Sequence, residues 1–414
     1  GGNKMSENYD MIIVGGGPAG MSAAIYGSRS KLKTLVLESK RKTGGQVATY
    51  EEMENYPGVP ETSAPELMEN FRTHAEKFDA EFAKGEVIDI VNNGFEKIVK
   101  TKDKEYTAKS VILATGAEPR KLGIKGEEEF KGKGVSYCAT CDAEFYEGLE
   151  VVVIGNGNSA VEEAIYLTKF ADKVTIVVIH EEGVMDAEKL FQERAFANDK
   201  IEFFWNSTVE EIKGEGLVDS VVVKNIKTGE KTDFECDGVF FFVGRVPSTD
   251  FLENTEIELN DNNYIKANDN METNIPGIYA AGDVREKVVR QVITAAGDGA
   301  TAAVMAQSYL EAEEYWQENV VESAKPVIVS FWSPTDNESI ETIGKLEELG
   351  LEDRGYKMVK IDTYKNKLIT DRYNVEEIPT ILKIEDGEVK ERLVNPMIED
   401  VKEVTIENLE EVKN

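Results

Sequence analysis

Three hydrophobic rhythms run along this chain. At the start, YDMIIVGGGPAGMSAAIYGSRS sets an apolar run before a glycine-rich turn and a series of small residues, predicting strand, tight turn and closely packed helix. The same order returns in LEVVVIGNGNSAVEEAIYLTKFADKVTIVVI, where Val174 to Ile179 supplies the following strand. Two further apolar runs, SVILATGAEPR and VFFFVGRVPSTDFL, each end at a glycine and read as crossovers out of the first unit and back into it. IPGIYAAGDV then predicts a short strand, followed by a small-residue helix from about Ile293 whose first-turn amides can face a ligand.

Beyond a polar stretch near Glu313 to Lys325 the rhythm changes again. VIVSFW, ESIETIGKLEELG, YKMVKID, a short helix, the hairpin IPTILKIEDGEVKERLV and a closing helix form a self-contained unit. The expected fold is therefore α/β: two Rossmann-like three-layer domains, the second inserted in the first, plus a C-terminal α/β domain. The expected boundaries are 5–118 with 249–318 for the first domain, 119–248 for the second and 325–414 for the third.

The glycine spacing gives the first two units a chemistry. Gly15, Gly17 and Gly20 form GxGxxG, and Leu35 to Leu37 lead into Glu38, an acid placed to accept from a ribose hydroxyl. Strand, turn, helix and acid in this order predict dinucleotide binding. Gly155, Gly157 and Ala160 repeat the turn in the second unit, with Glu162 and Glu163 in its helix, so the chain carries two such sites or one site and a relic.

Composition narrows the partners. Of 414 residues, 47 are Lys or Arg and 79 Asp or Glu, a formal net charge of −32 that disfavours nucleic-acid binding. No apolar run reaches transmembrane length, and a cytoplasmic location is expected. Two histidines, His74 and His180, leave little basis for a metal centre, and none is expected. Three cysteines form no disulfide framework, but Cys138 and Cys141 stand as Cys-x-x-Cys beside Asp142. Such a pair bonds across one turn, and two thiols without a second pair are too few for a zinc site, so redox use is the favoured reading over a structural one. Asp142 is a candidate acid for protonating a departing thiolate. Cys236, in an apolar-flanked strand, reads as a buried small hydrophobe.

GGGPAG, GGQ at 44–46, ENYPG at 54–58, CATCD at 138–142, GNGNSAVEEA at 155–164, AGDV at 281–284 and RQVITAAGDGATAA at 290–303 together resemble bacterial low-molecular-weight thioredoxin reductase, collinearly over residues 8–318. The resemblance implies a homodimeric FAD enzyme passing electrons from NADPH through flavin to its Cys-x-x-Cys and then to thioredoxin. It places Gly15, Gly17, Gly20, Glu38, Gln46, Asn55, Asp283, Arg290 and Gln291 around FAD. It sets Cys141 near the flavin and makes Cys138 the thiol that attacks the acceptor, with Asp142 the acid. It also implies that the inserted domain swings, so that a thiol held inside can reach a protein disulfide.

One departure bears on the donor. Members that use NADPH carry an arginine-rich run after the second unit's strand, resembling HRRxxxR. Here the run is His180, Glu181, Glu182, Gly183, Val184, Met185, Asp186. Carboxylates there repel a 2′-phosphate and can accept from a free ribose hydroxyl, so NADH, with Glu181 at the ribose and Gly155, Gly157 and Ala160 at the pyrophosphate, is the expected donor. A ferredoxin or other protein donor is the alternative, as is a peroxide- or small-disulfide-handling flavoprotein, or a non-enzymatic redox sensor or scaffold.

VIVSFWSPTDNES and YNVEEIPTILKIEDGE resemble thioredoxin, with Ile378 and Pro379 at its cis-proline element. Asp336 and Ser339 stand where its two cysteines would be, and neither can exchange thiols. The expectation is a thioredoxin-like domain without redox activity.

Overall fold

The computed structural model describes residues 7–49, 52–53, 55–60 and 62–406. Its first sheet runs, edge to edge, Glu81–Lys84, Thr34–Glu38, Glu7–Val14, Glu105–Leu113, Glu96–Thr101 and Val87–Asn93, with Ile278–Ala280 also beside Glu105–Leu113. The pairs at the Glu7–Val14 strand are parallel, as a strand–helix–strand crossover requires. Ile12, Ile13 and Val36 are fully buried because both faces of this sheet are covered.

A second, wholly parallel sheet has the order Val135–Ser136, Gly238–Phe241, Glu150–Ile154, Lys173–Val177, Ile201–Phe204. An antiparallel sheet, Ser207–Gly214 with Val218–Asn225 and Lys231–Glu235, packs beside it. The two crossover runs meet each other: Ala117–Pro119 pairs antiparallel with Arg245–Pro247. The second unit thus hangs from the first on a two-stranded connection. Its predicted strand at Val174 to Ile179 spans Lys173–Val177. Cys236 is buried as expected but lies just past the Lys231–Glu235 strand, and burial pushes its thiol up to about 12.

The C-terminal unit is a four-stranded sheet in the order Lys357–Asp362, Val327–Trp332, Thr380–Glu385, Glu388–Val394, the first pair parallel and the rest antiparallel. The Ile378–Pro379 peptide is cis. Asp336 caps the Asn337–Glu348 helix, its carboxylate accepting from the Ser339 amide at 2.7 Å.

The polar stretch near Glu313 to Lys325 is largely helical. Val292–Trp316 is one continuous helix that runs on into a π-helical turn, Gln317–Val321. Trp316 and Val320 lie in the core of the C-terminal sheet with Val327, Phe331 and Leu382, and Trp316 meets the Tyr373 ring at 5.0 Å. Glu313 is buried because it pairs with Arg372 from the C-terminal unit, so its polarity marks an interdomain ion pair rather than a loop. One helix therefore serves two units.

Candidate active site

Two glycines close the first turn and a third leaves it open. Gly15 has φ +106°, and a Cβ there would stand 2.4 Å from the Ala114 carbonyl oxygen. At Gly20 a Cβ would fall 1.8 Å from the Gly15 carbonyl oxygen, so the helix can lie against the turn only with glycine there. Gly17 has only the Gly45 Cα nearby, at 3.9 Å, and its backbone faces a cavity of about 710 Å³. Glu38 sits at the cavity wall, accepting from the Gly16 amide at 2.9 Å and the Lys40 amide at 2.8 Å.

Most of the expected residues gather around this cavity. Gly15, Gly17, Glu38, Gln46, Asp283, Arg290 and Gln291 all line it. Cys138 and Cys141, joined in a disulfide, open onto the same space. Gly20 shapes the turn from behind. Asn55 is exposed and does not line the cavity; its amide donates to the Gln291 side chain at 3.3 Å. Asp142 sits behind the disulfide, accepting from the Ser136 hydroxyl, and burial raises its pKa while that hydrogen bond opposes the rise.

Two of the lining residues carry unmet hydrogen-bonding demand. Asp283 Oδ1 and Arg290 Nε are buried with no hydrogen-bond partner among the described residues. Buried polar atoms are nearly always paired, so these two point to a polar ligand. Burial raises the Asp283 pKa, and the charges of Arg245, Lys287 and Arg290 pull against it. The Gly282–Val284 turn that carries Asp283 is held from below by Asp298. Its carboxylate accepts from the Gly282 amide at 3.0 Å, Arg285 Nε at 2.9 Å and Lys287 Nζ at 2.8 Å. Burial would raise the Asp298 pKa, but hydrogen bonds from Arg285 and Lys287 outweigh it and the carboxyl ends lowered.

The second glycine turn repeats the geometry of the first. Gly155 has φ +130° and a Cβ there would lie 2.4 Å from the Phe242 carbonyl oxygen, while Gly157 meets nothing within 4 Å. Ala160 is buried behind the turn. After the following strand, Glu181 is exposed and pairs with Lys227 at 3.3 Å, and His180 Nε2 lies 3.1 Å from Asp186. Lys227 was not legible as a neighbour from its distant place in the chain.

Comparison with known proteins resolves the class. The pyridine nucleotide-disulphide oxidoreductase family matches residues 9–299, and the thioredoxin family matches 307–406. A thioredoxin reductase of Peptoclostridium acidaminophilum is 50% identical over 315 residues, covering 74% of this chain and 99% of that protein. The chain belongs to the thioredoxin reductase family. A thioredoxin reductase of Bacillus subtilis (strain 168) is 49% identical over 310 residues, covering 74% of this chain and 97% of that protein. The crystal structure of thioredoxin reductase from Streptococcus pyogenes aligns with a TM-score of 0.69 at 47% identity, over 74% of this chain and 99% of that one.

Like its family, the protein is an FAD-dependent disulfide oxidoreductase. The cavity suits FAD. Gly17 leaves room for a pyrophosphate against the backbone, and the unpartnered Asp283 and Arg290 atoms offer a hydrogen-bond acceptor and a donor. Arg245, also on the cavity wall and 3.9 Å from Asp283, escaped sequence reasoning because it lies in the crossover strand.

Proposed function

We propose that this protein reduces the disulfide of a separate thioredoxin, with NADH as donor. The observation that carries the reading is the Cys138–Cys141 disulfide opening onto the cavity lined by Gly15, Glu38, Asp283 and Arg290. Bound FAD supplies two-electron transfer between the donor and this disulfide. Gly15, Gly17 and Gly20 shape its phosphate turn, and Glu38, Gln46, Asp283, Arg290 and Gln291 hold it; Asn55 acts by orienting Gln291. Cys141 takes the electrons, Cys138 attacks the acceptor and Asp142, whose raised pKa suits a proton donor, protonates the departing sulfur. The family relatives are named thioredoxin reductases, which supports thioredoxin as acceptor. A homodimer belongs to this reading. Among the described residues no helix is long and apolar enough to cross a membrane.

The NADH assignment rests on Glu181, Glu182 and Asp186, with the Gly155–Gly157 turn still shaped for pyrophosphate. The division expected from the sequence, 5–118 with 249–318, 119–248 and 325–414, is kept in this reading, with the Val292–Trp316 helix and the Gln317–Val321 turn shared with the last unit. The last is a recognition or stabilising module without redox chemistry, since Asp336 is spent capping a helix and Ser339 is buried behind it. Anaerobic flavin photometry tests the donor: NADH bleaches the flavin rapidly and NADPH slowly. Equal rates overturn the assignment, and bleaching by reduced ferredoxin alone replaces it with a protein donor. Cys138→Ser abolishes thioredoxin turnover while flavin reduction persists; retained turnover rejects the role of Cys138.

A further inference from the structure

The two glycine turns correspond bond by bond. Val14 stands opposite Leu37 in the first sheet, and Ile154 opposite Val177 in the second. A Cβ on Gly15 would lie 2.4 Å from the Ala114 carbonyl oxygen, and one on Gly155 would lie 2.4 Å from that of Phe242. The Gly16 carbonyl accepts from the Gly44 amide at 2.7 Å, and the Asn156 carbonyl from the Ala187 amide at 3.0 Å. Gly16 thus matches Asn156, and Glu38, which follows Leu37, matches Val178.

At that corner the two units differ. In the first, Gly16 has no side chain and the Glu38 carboxylate fills the space beside it; a Cβ on Gly16 would point at Glu38 Oε2, 3.1 Å away. In the second, Val178 is fully buried and offers no polar group, while Asn156 carries a side chain in the direction that leads to the carboxylate position. Asn156 is 9% exposed, and its Nδ2 is buried with no hydrogen-bond partner among the described residues. Buried donors are nearly always paired, so this one points to a ligand. The polar group of the corner has moved from the strand end to the turn. Glu181, further along the loop, is exposed and engaged with Lys227.

We propose that Asn156 is the ribose-binding residue of the second site, its side-chain amide meeting the 2′-hydroxyl on the adenosine half of NADH. The proposal rests on the reading of this turn as the NADH site. In a dinucleotide-binding fold an acid at the end of the second strand accepts from that hydroxyl. An amide has a donor nitrogen and an acceptor oxygen, so it meets the same hydroxyl without a charge. Here the hydroxyl oxygen accepts from Nδ2, which gives the buried donor its partner. Asn156 holds the ribose, and Glu181, Glu182 and Asp186 disfavour a 2′-phosphate on it. Asn156, Val178 and these acids all belong to the inserted unit, so the contact travels whole with that unit.

Isothermal titration calorimetry of FAD-loaded protein with ADP and with 2′-deoxy-ADP tests the contact. The parent should bind ADP roughly three- to tenfold more tightly than 2′-deoxy-ADP, the size of one neutral hydrogen bond. Asn156→Ala should weaken ADP by that factor and abolish the difference between the two ligands, while FAD content and the flavin spectrum stay those of the parent. Asn156→Asp, with a carboxylate where the first unit has one, should restore the difference. A parent that binds both ligands alike, or an alanine variant that still tells them apart, overturns the proposal. If the variants behave as expected while NADH fails to bleach the parent flavin, Asn156 keeps its role and the donor assignment is rejected. A parent that does not bind ADP overturns both.

Discussion

Asp298 offers the sharpest test of how the cavity is built. It reaches no cavity surface itself, yet it ties the Gly282 amide, Arg285 and Lys287 into one knot beneath the turn that carries Asp283. The side chains of Asp298, Arg285 and Lys287 are 10%, 15% and 7% exposed, so water replaces little of what Asp298→Ala removes. Breaking a buried pair by removing one partner costs about 3–5 kcal/mol, and two cations here lose one carboxylate. If roughly 2–3 kcal/mol of this appears as loosening of the Gly282–Val284 turn that FAD must re-order, its affinity falls about 30- to 150-fold. Equilibrium titration of apoprotein with FAD measures this directly. Asp298→Asn, which keeps the shape and loses the charge, should fall between parent and alanine variant. The lowered carboxyl pKa also fixes the sign of the pH effect. Stability from the ion pairs is present above the ordinary value of 3.8 and fades as pH drops through the depressed one, so the gap between parent and Asp298→Asn should close in acid. Two variants that fold and bind FAD within threefold of the parent would refute the reasoning.

Three further outcomes are expected. Arginines in place of Glu181, Glu182 and Asp186 should raise kcat/KM for NADPH at least tenfold relative to NADH by adding charge-assisted contacts to a 2′-phosphate, read from steady-state kinetics with both nucleotides. Glu163 has a carboxyl raised to about 7 from 4.5, so the folded state holds its proton more tightly and stability falls as pH rises across that interval; Glu163→Gln should flatten the slope in denaturant midpoints taken from pH 4 to 8. Trp316→Ala removes a side chain only 1% exposed and should destabilise the C-terminal unit by about 3–5 kcal/mol, seen as faster proteolysis within residues 325–406.

Local grammar made much of this molecule legible. A buried parallel strand, a glycine that alone fits against a carbonyl, and a following acid are written within about 30 residues, which is why the turns at Gly15 and Gly155 could be read directly. Features that depend on chain segments meeting were not. Asp298 looked like one polar residue in a small-residue helix, because its partners Arg285 and Lys287 lie across a turn whose course the pattern leaves open. Arg245 is one residue of a crossover run until the two crossover strands pair and deliver it to the cavity. Glu313 to Lys325 reads only as a polar stretch, whereas Glu313 is paired with Arg372 and Trp316 and Val320 point the same way one turn apart.

The 25-residue helix from Val292 to Trp316 is about 37 Å of continuous strut with a flavin cradle at one end and a thioredoxin-shaped module bolted to the other. A tether would let that module roam and sample the disulfide at random; a strut gives it one bearing. Anything that grips the module leans on the rod whose first turn meets the cofactor cavity. Severing the chain after Trp316 to obtain a reductase alone would leave its indole and Glu313 without their packing partners, so the two halves cannot be parted cleanly there.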